Sequence, residues 1–358
     1  MPACRQQMSA VRRKYRVDET PRRLGVAKRR EPPRPVGDRR RTVAGLIPIL
    51  ARGPPGPGFP EKPSCYVIFP HRPQHTIGRA VTVSGFGYWS GRDVTIAFHP
   101  AEANSGISFP RVDLDPPCGV AAHIDNRVEA PRRTNLAAGG VSVEMVEHLL
   151  AALAGLQIDN CEVHVDAAEI AGCDGSSLPF TTALASANIV VQGVQRQRLV
   201  VREVIRVGTD TNWVEARPAT HLGFSVKYRL DYGSETAIGR QSLELQVTPD
   251  SFLRELAPAR TFLLQDEAEW LRQRGLGLRV TPQDLLVFGD EGPIDNTLRF
   301  ENECVRHKAL DMIGDLSLAG CDLIGHFVAY KSGHRLNAEL LNALLTEGQI
   351  EEGYLLSA

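Results

Sequence analysis

The sequence lacks the long apolar runs and paired cysteines that mark several common protein classes. No apolar stretch approaches the roughly 20 residues that a membrane helix needs. The stretch 46–50 is short and interrupted by Pro48, so it does not resemble a signal peptide, and we expect a cytoplasmic protein. The seven cysteines are scattered and form no CxxC pair, which argues against thiolate zinc. No Gly-rich turn of a doubly wound nucleotide-binding sheet is present.

Charge is unevenly distributed along the chain. The formal net charge is -1, yet residues 1–60 hold 15 Lys and Arg against 4 Asp and Glu, and the remaining residues hold 26 against 38. Residues 1–63 are rich in Pro and Arg with almost no apolar periodicity, so we expect a disordered basic extension. Such a tail could bind anionic lipid or nucleic acid. We favour a dispensable extension, or a start codon assigned too far upstream, Met8 being the only other early methionine. We expect no nucleic-acid partner and at most peripheral membrane contact.

A folded body is predicted from about residue 74 onward. Residues 80–87 and 93–98 alternate apolar and polar side chains with a period of two. Ser90-Gly91 between them is a turn sequence, which predicts a β-hairpin.

The next segments predict helices and a further strand. Ser142 is a candidate helix N-cap with Glu144 in the first turn, and an apolar stripe then runs to Gly155, where the helix is expected to end. Residues 161–166 return to strand alternation, and residues 181–187 predict a second helix.

The second half of the chain repeats this order. Residues 199–232 are strand-rich, and a helix is predicted over 301–318, ending at Gly320. A strand at 324–330 and a helix over 336–345 follow.

The repeated order predicts an α+β fold made of two similar layered α/β-sandwich domains, that is, an internal duplication. The strands come in runs, which does not fit a doubly wound parallel sheet. The expected boundaries are 74–194 for the first domain and 198–346 for the second, with residues 347–358 as a C-terminal tail.

A polar stripe in the second half is the most informative feature of the sequence. His307, Asp311 and Asp315 follow one another at intervals of four, so on a helix they share a slowly drifting face. The stripe could be a solvated surface. However, its flanks are apolar on several sides, and buried polar groups need a partner, which a metal ion would supply.

A second histidine lies in an apolar helical segment, beside a glutamate. His148 alone is more often a hydrogen-bonded core residue than a metal ligand. Glu147 precedes it, and adjacent helical residues point about 100° apart, so Glu147 is better placed as a base than as a ligand. With His307 and Asp311 the set offers three ligands, a position for water and a spare carboxylate, which is the pattern of a catalytic zinc site.

His334 is a further catalytic candidate. It follows a predicted strand and Gly333, at a position where catalytic side chains often lie. The alternative is an ordinary loop histidine.

The chain resembles the UDP-3-O-acyl-N-acetylglucosamine deacetylase family, zinc amidases of bacterial lipid A synthesis. The resemblance spans residues 75–345, and several independent motifs occur in the same order. The motifs are Val146-Glu147-His148-Leu149, Ala151-Ala152-Leu153-Ala154-Gly155-Leu156, Ile158-Asp159-Asn160, Asp174-Gly175-Ser176, Pro179-Phe180, Ala259-Arg260-Thr261-Phe262, Leu298-Arg299-Phe300-Glu301, Arg306-His307-Lys308 through Asp315-Leu316, and Ala329-Tyr330-Lys331-Ser332-Gly333-His334.

The resemblance implies two similar α+β domains that face each other with the metal between them. It implies that His148, His307 and Asp311 bind Zn²⁺ and that Glu147 is the general base. The implied reaction is hydrolysis of UDP-3-O-[(3R)-3-hydroxyacyl]-N-acetylglucosamine to acetate and the free amine, and we expect a monomer.

The resemblance also implies the residues around the reacting amide. His334 would protonate the leaving amine or stabilise the oxyanion, and Thr261 would donate a hydrogen bond to that oxyanion. Lys308 and Asp315 would hold the substrate and orient His334.

Two departures from the family pattern leave alternatives open. Trp89 stands where the family has a histidine, and Arg279-Val280 stands where glycines are common. These changes would fit a zinc deacetylase of a different acylated amino sugar. A non-catalytic binding paralogue is a further alternative, but the presence of both Glu147 and His334 argues against it, because binding alone needs neither a base nor an acid.

Overall fold

The computed structural model describes residues 71–219, 223–347 and 350–351. The described residues form one compact unit, to which all the elements below belong. The extension predicted for residues 1–63 lies outside the described residues. Across the described ranges, no helix is both long and apolar enough to cross a membrane.

The first half of the described chain builds a five-stranded sheet. In spatial order its strands are β2 (Val81–Phe86), β3 (Asp93–Pro100), β9 (Cys161–Val165), β4 (Ile107–Arg111) and β5 (Cys118–Ala121). The predicted hairpin is confirmed, since β2 and β3 pair antiparallel from Val81 opposite Phe98 to Phe86 opposite Asp93. Gly91 takes a φ of 67° in the turn, a conformation that glycine adopts without steric cost.

The second half builds a seven-stranded sheet around β18 (Asp322–Tyr330). The other strands are β11 (Arg198–Val200), β12 (Ile205–Gly208), β13 (Trp213–Arg217), β14 (Phe224–Asp231), β15 (Arg240–Val247) and β19 (Ile350–Glu351). β18 pairs antiparallel with β13 and parallel with β11 and β14. The short strand β19, within the segment expected to be a tail, pairs with β11.

Three smaller sheets complete the β structure of the described residues. They are formed by β1 (Pro73–Ile77) with β10 (Ile189–Gln195), by β6 (Arg127–Val128), β7 (Asn135–Ala138) and β8 (Val141–Glu144), and by β16 (Phe262–Leu264) with β17 (Leu286–Phe288).

Six α-helices lie within the described ranges. They are α1 (Glu147–Gly155), α2 (Leu178–Ser186), α3 (Pro249–Ser251), α4 (Gln265–Gln273), α5 (Glu303–Leu316) and α6 (His334–Glu347). Shorter 3₁₀ or π turns occur at Ile124–Asn126, Phe252–Leu256 and Ser317–Ala319.

Helices α1 and α5 pack against each other in the core and position the site. Both are buried along most of their length, as expected for helices whose sequences are apolar on several sides. They approach closely at Gly314, where a Cβ atom would lie 2.1 Å from the backbone oxygen of Glu147. Only glycine fits this crossing.

The predicted start of α1 is wrong. Ser142 and Glu144 are not a cap and first turn, because Val141–Glu144 forms β8 and pairs antiparallel with β7. A two-glycine turn with positive φ at Gly139 and Gly140 closes this hairpin, so the chain is extended at Ser142 and the helix begins only at Glu147. The predicted end at Gly155 is confirmed.

The other helix predictions hold with shifted boundaries. α5 runs over Glu303–Leu316 and is followed by a short turn to Gly320, whose φ of 66° ends it. α6 begins at His334 rather than Leu336, so His334 is the first residue of a helix and not part of a loop. The mixed architecture agrees with an α+β fold. The internal duplication and the boundary near 194–198 stay predictions.

Candidate metal and catalytic site

A cavity of about 680 Å³ gathers most of the predicted site residues. Its lining includes Glu147, His148, Thr261, His307, Lys308, Asp311 and His334. Asp315 lies behind this wall, in contact with His334. The set therefore comes together in space although its members derive from distant segments of the chain.

Three side chains at the floor of the cavity form a possible metal site. One ligand atom each of His148, His307 and Asp311 lies within 4.8 Å of the others, and all three residues are buried. Asp311 Oδ1 is 3.5 Å from His148 Nε2 and 3.3 Å from His307 Nε2. His148 comes from α1 and the other two from consecutive turns of α5, as the i, i+4 spacing predicts.

The surroundings prepare these atoms for a cation. His307 Nδ1 lies 3.1 Å from the carbonyl oxygen of Ala259, which can only accept, so Nδ1 carries the proton and Nε2 keeps its lone pair. Burial lowers the pKa of His307 to about 3, so the ring is neutral at neutral pH. Lys308 Nζ donates to Asp311 Oδ2 at 2.6 Å and leaves Oδ1 directed at the histidines.

An unpartnered oxygen shows that a cation fits this site. Asp311 Oδ1 is buried and has no hydrogen-bond partner among the described residues. A buried carboxylate oxygen without a partner is costly, and a metal ion removes the cost. The alternative of a solvated stripe is excluded, because His307, Asp311 and Asp315 are only 2%, 3% and 1% exposed.

Glu147 lies beside the possible metal site as a buried carboxylate. It is 3% exposed, and its Oε2 accepts a hydrogen bond from the backbone N–H of Thr134 at 2.9 Å. Burial raises the pKa of Glu147 above its ordinary value, against the opposing effect of nearby His334 and His148. A carboxylate with a raised pKa is a stronger base for proton abstraction.

His334, which lines the same cavity, and Asp315 behind it form a buried ion pair. His334 Nδ1 donates to Asp315 Oδ2 at 2.9 Å. The same oxygen accepts from Asn337 Nδ2 at 2.8 Å, and Asp315 Oδ1 accepts from Thr134 Oγ1 at 2.6 Å. Burial alone would lower the pKa of His334, but the carboxylate of Asp315, together with those of Asp311 and Glu147, more than offsets this and raises the pKa to about 9. The imidazole is therefore charged at neutral pH.

Thr261 lines the cavity, and contacts of its backbone and of the preceding residue hold it there. Its backbone N–H donates to the carbonyl oxygen of Gly175 at 2.8 Å. The preceding Arg260 forms a buried ion pair with Glu303, the first residue of α5, at 2.8 Å. The Thr261 segment is thus attached to the helix that carries His307 and Asp311.

The two departures from the family pattern, Trp89 and Arg279, each make side-chain contacts in the structure. Trp89 lines the cavity, and the guanidinium of Arg133 lies 4.6 Å from its ring centre. Arg279 pairs with Asp93 at 2.6 Å and lies over the ring of Phe86.

Sequence reasoning missed Thr134 and Asn337. Asn337 lies three residues after His334, and this spacing would have indicated it if the helix had been predicted to start at His334. Thr134 carried no signal, because its partner Asp315 is 181 residues away.

Comparison with known proteins identifies the family of this chain. The model of the UDP-3-O-acyl N-acetylglycosamine deacetylase family matches residues 74–346. A protein of a Geobacter species named UDP-3-O-acyl-N-acetylglucosamine deacetylase is 40% identical over 273 residues, which cover 76% of this chain and 88% of the relative. A protein of the same name from Brucella ovis is 39% identical over 276 residues, covering 76% and 96%. By the length and identity of these matches, the chain belongs to the UDP-3-O-acyl N-acetylglycosamine deacetylase family.

Proposed function

We propose that this protein hydrolyses the acetamide of UDP-3-O-acyl-N-acetylglucosamine, releasing acetate and the free amine in lipid A biosynthesis. The observation that carries the proposal is the buried His148, His307 and Asp311 cluster, with an unpartnered carboxylate oxygen, at the floor of a cavity that Glu147 and His334 also line. Family membership supplies the substrate class.

The three-residue cluster is the proposed zinc site. Two imidazoles and one carboxylate are ligands that Zn²⁺ accepts, and three protein ligands leave a position for water or substrate. When bound there, Zn²⁺ would polarise the acetamide carbonyl and lower the pKa of the attacking water. Lys308 balances the charge of Asp311 from the other side of the carboxylate.

Glu147 is proposed to take the proton from the attacking water. Its carboxylate is buried beside His148, and its raised pKa suits a base that must accept a proton near neutral pH. The hydroxide equivalent then adds to the acetamide carbon and gives a tetrahedral intermediate.

His334 is proposed to donate the proton that the leaving amine needs. Its Nδ1 is bound to Asp315, so Nε2 is the nitrogen left to face the cavity. Transfer of this proton to the amine nitrogen breaks the C–N bond and releases acetate and the amine. Thr261 is proposed as a donor to the developing oxyanion, a contact worth on the order of 3 kcal/mol.

The direct test is acetate release from purified protein loaded with one equivalent of Zn²⁺ per chain. The UDP-linked 3-O-acylated substrate should yield acetate and amine in equal amounts, and chelation followed by zinc should abolish and restore turnover. A zinc-loaded, folded protein that releases no acetate would reject the proposal.

A second candidate substrate deserves the same assay because Trp89 lines the cavity. Its bulky indole, with the Arg133 guanidinium over the ring, occupies part of the cavity that also holds the proposed catalytic residues. Faster release of acetate from a different acylated amino sugar than from the UDP-linked substrate would favour this alternative.

The setting of the reaction is also proposed. We infer a monomer that acts in the cytoplasm, contacts membranes peripherally at most and has no nucleic-acid partner. Mass measurement in solution and cell fractionation test these points, and a stable dimer or a membrane-bound majority would contradict them.

A further inference from the structure

Thr134 contacts both carboxylates on which the proposed proton transfers depend. Its side chain is fully buried. Its backbone N–H donates to Glu147 Oε2 at 2.9 Å, and its hydroxyl donates to Asp315 Oδ1 at 2.6 Å. One residue thus lies between the base and the partner of the acid.

Each contact fixes a different degree of freedom. The N–H bond to Glu147 limits rotation of that carboxylate. The hydroxyl bond supplies the third donor to Asp315, whose other oxygen accepts from His334 and Asn337. With both oxygens held, the plane of the Asp315 carboxylate is defined, and so is the direction in which it holds the His334 ring. Hydrogen bonds to charged groups are stronger than neutral ones, so these contacts restrict motion effectively.

The backbone around Thr134 is itself held in place. Its carbonyl oxygen accepts from the N–H of Val146 at 3.0 Å, and the next side chain, Asn135, accepts from the N–H of Met145 at 3.1 Å. Arg132 takes a φ of 61°, which is uncommon for a residue other than glycine. Its side chain is fixed by an ion pair with Glu267 on α4. These contacts hold the segment around Thr134 in place at the edge of the cavity.

We propose that Thr134 is a positioning residue that holds Glu147 and the His334–Asp315 pair at a fixed separation for the two proton transfers. The inference rests on the proposed function and adds to it a residue that acts through others. Because Thr134 is buried behind the cavity wall, its loss should slow turnover without weakening substrate binding or metal binding.

The test compares Thr134→Val with Thr134→Ser. Valine keeps the shape and the N–H to Glu147 but removes the hydroxyl, so kcat should fall roughly ten- to a hundredfold, as expected for a lost hydrogen bond to a charged group. KM and zinc content should stay within about twofold of wild type. Serine keeps the hydroxyl and should restore kcat to within about threefold. Thr181→Val, at another fully buried threonine whose hydroxyl bonds a backbone oxygen, is the matched control and should leave kcat unchanged.

The outcomes separate the inference from the proposed function. Wild-type protein that releases no acetate rejects the function itself. Active wild type with an equally active valine variant overturns the role of Thr134. Equal losses in the valine and serine variants, or a valine variant that loses zinc, would make Thr134 a scaffold residue and also overturn it. If the valine variant does not fold, Thr134→Ala carries the same comparison with serine.

Discussion

Replacing Gly314 by alanine should separate the two helices that carry the proposed metal ligands. The added Cβ would lie 2.1 Å from the backbone oxygen of Glu147 and 3.3 Å from the backbone nitrogen of Ala151, whereas ordinary contact begins at 3.4 Å. Neither neighbour is a flexible side chain, so α1 and α5 would have to move apart by more than about 1 Å.

The movement affects stability and chemistry differently. Overpacking of this kind costs about 1–3 kcal/mol of unfolding free energy, which corresponds to a fall in Tm of roughly 2–5 °C for a folded body of this size. His148 lies on one helix, and His307 and Asp311 lie on the other, so the ligand atoms would separate as well. Metal–ligand distances tolerate only about 0.2 Å, and a misplacement of about 1 Å can cost on the order of a hundredfold in rate.

The assay measures Tm, zinc per chain and acetate release for Gly314→Ala beside Gly193→Ala. A Cβ at Gly193 meets no atom within 4 Å, so this control should behave like wild type. A Gly314→Ala protein with wild-type Tm, zinc content and turnover would refute the packing argument.

Three further outcomes follow from the site. Asp311→Ala should lose zinc and activity together, and retained zinc would contradict its assignment as a ligand. Glu147→Ala and His334→Ala should keep zinc and lose roughly 10²–10⁴-fold in turnover, and near-normal rates would contradict their assignment as base and acid. Because Asp315, with Asp311 and Glu147, raises the pKa of His334 to about 9 and the charged ring is the proposed acid, kcat should fall as pH rises through about 9. In Asp315→Asn this fall should move to lower pH, and an unchanged profile would show that another group titrates. A protein beginning near Lys62 should fold and deacetylate at a similar rate at moderate salt, and loss of turnover on soluble substrate would show that the extension belongs to the catalytic body.

Local patterns allowed much of this architecture to be predicted. The hairpin around Ser90-Gly91 follows from period-two alternation and a turn sequence, both of which are local properties. The stripe on α5 follows from helical periodicity, and its burial agrees with the apolar flanks. The start of α1 was not predictable in the same way, because Ser142 has the chemistry of a cap, whereas in the fold it pairs with Ala137 in a strand.

The site residues also differ in whether local spacing or the overall fold brings them together. His307 and Asp311 share a helix, so spacing alone brings them together. His148 joins them only because α1 crosses α5 at Gly314, a contact that no local pattern encodes. Thr134 contributes through one hydroxyl and one N–H to partners on other elements, and such contacts become visible only once the fold is known.

Because the ligands are divided between α1 and α5, metal binding is coupled to the stability of the core. A cation bound by His148 on one side and by His307 and Asp311 on the other would act as a cross-link between helices from the two halves of the chain. Because an unfolded chain does not preorganise the three ligands, the bound ion favours the folded state by mass action. Each tenfold rise in free metal above the dissociation constant would then add about 1.4 kcal/mol to the free energy of unfolding. Metal supply would thereby affect the stability of the folded protein as well as its rate of turnover.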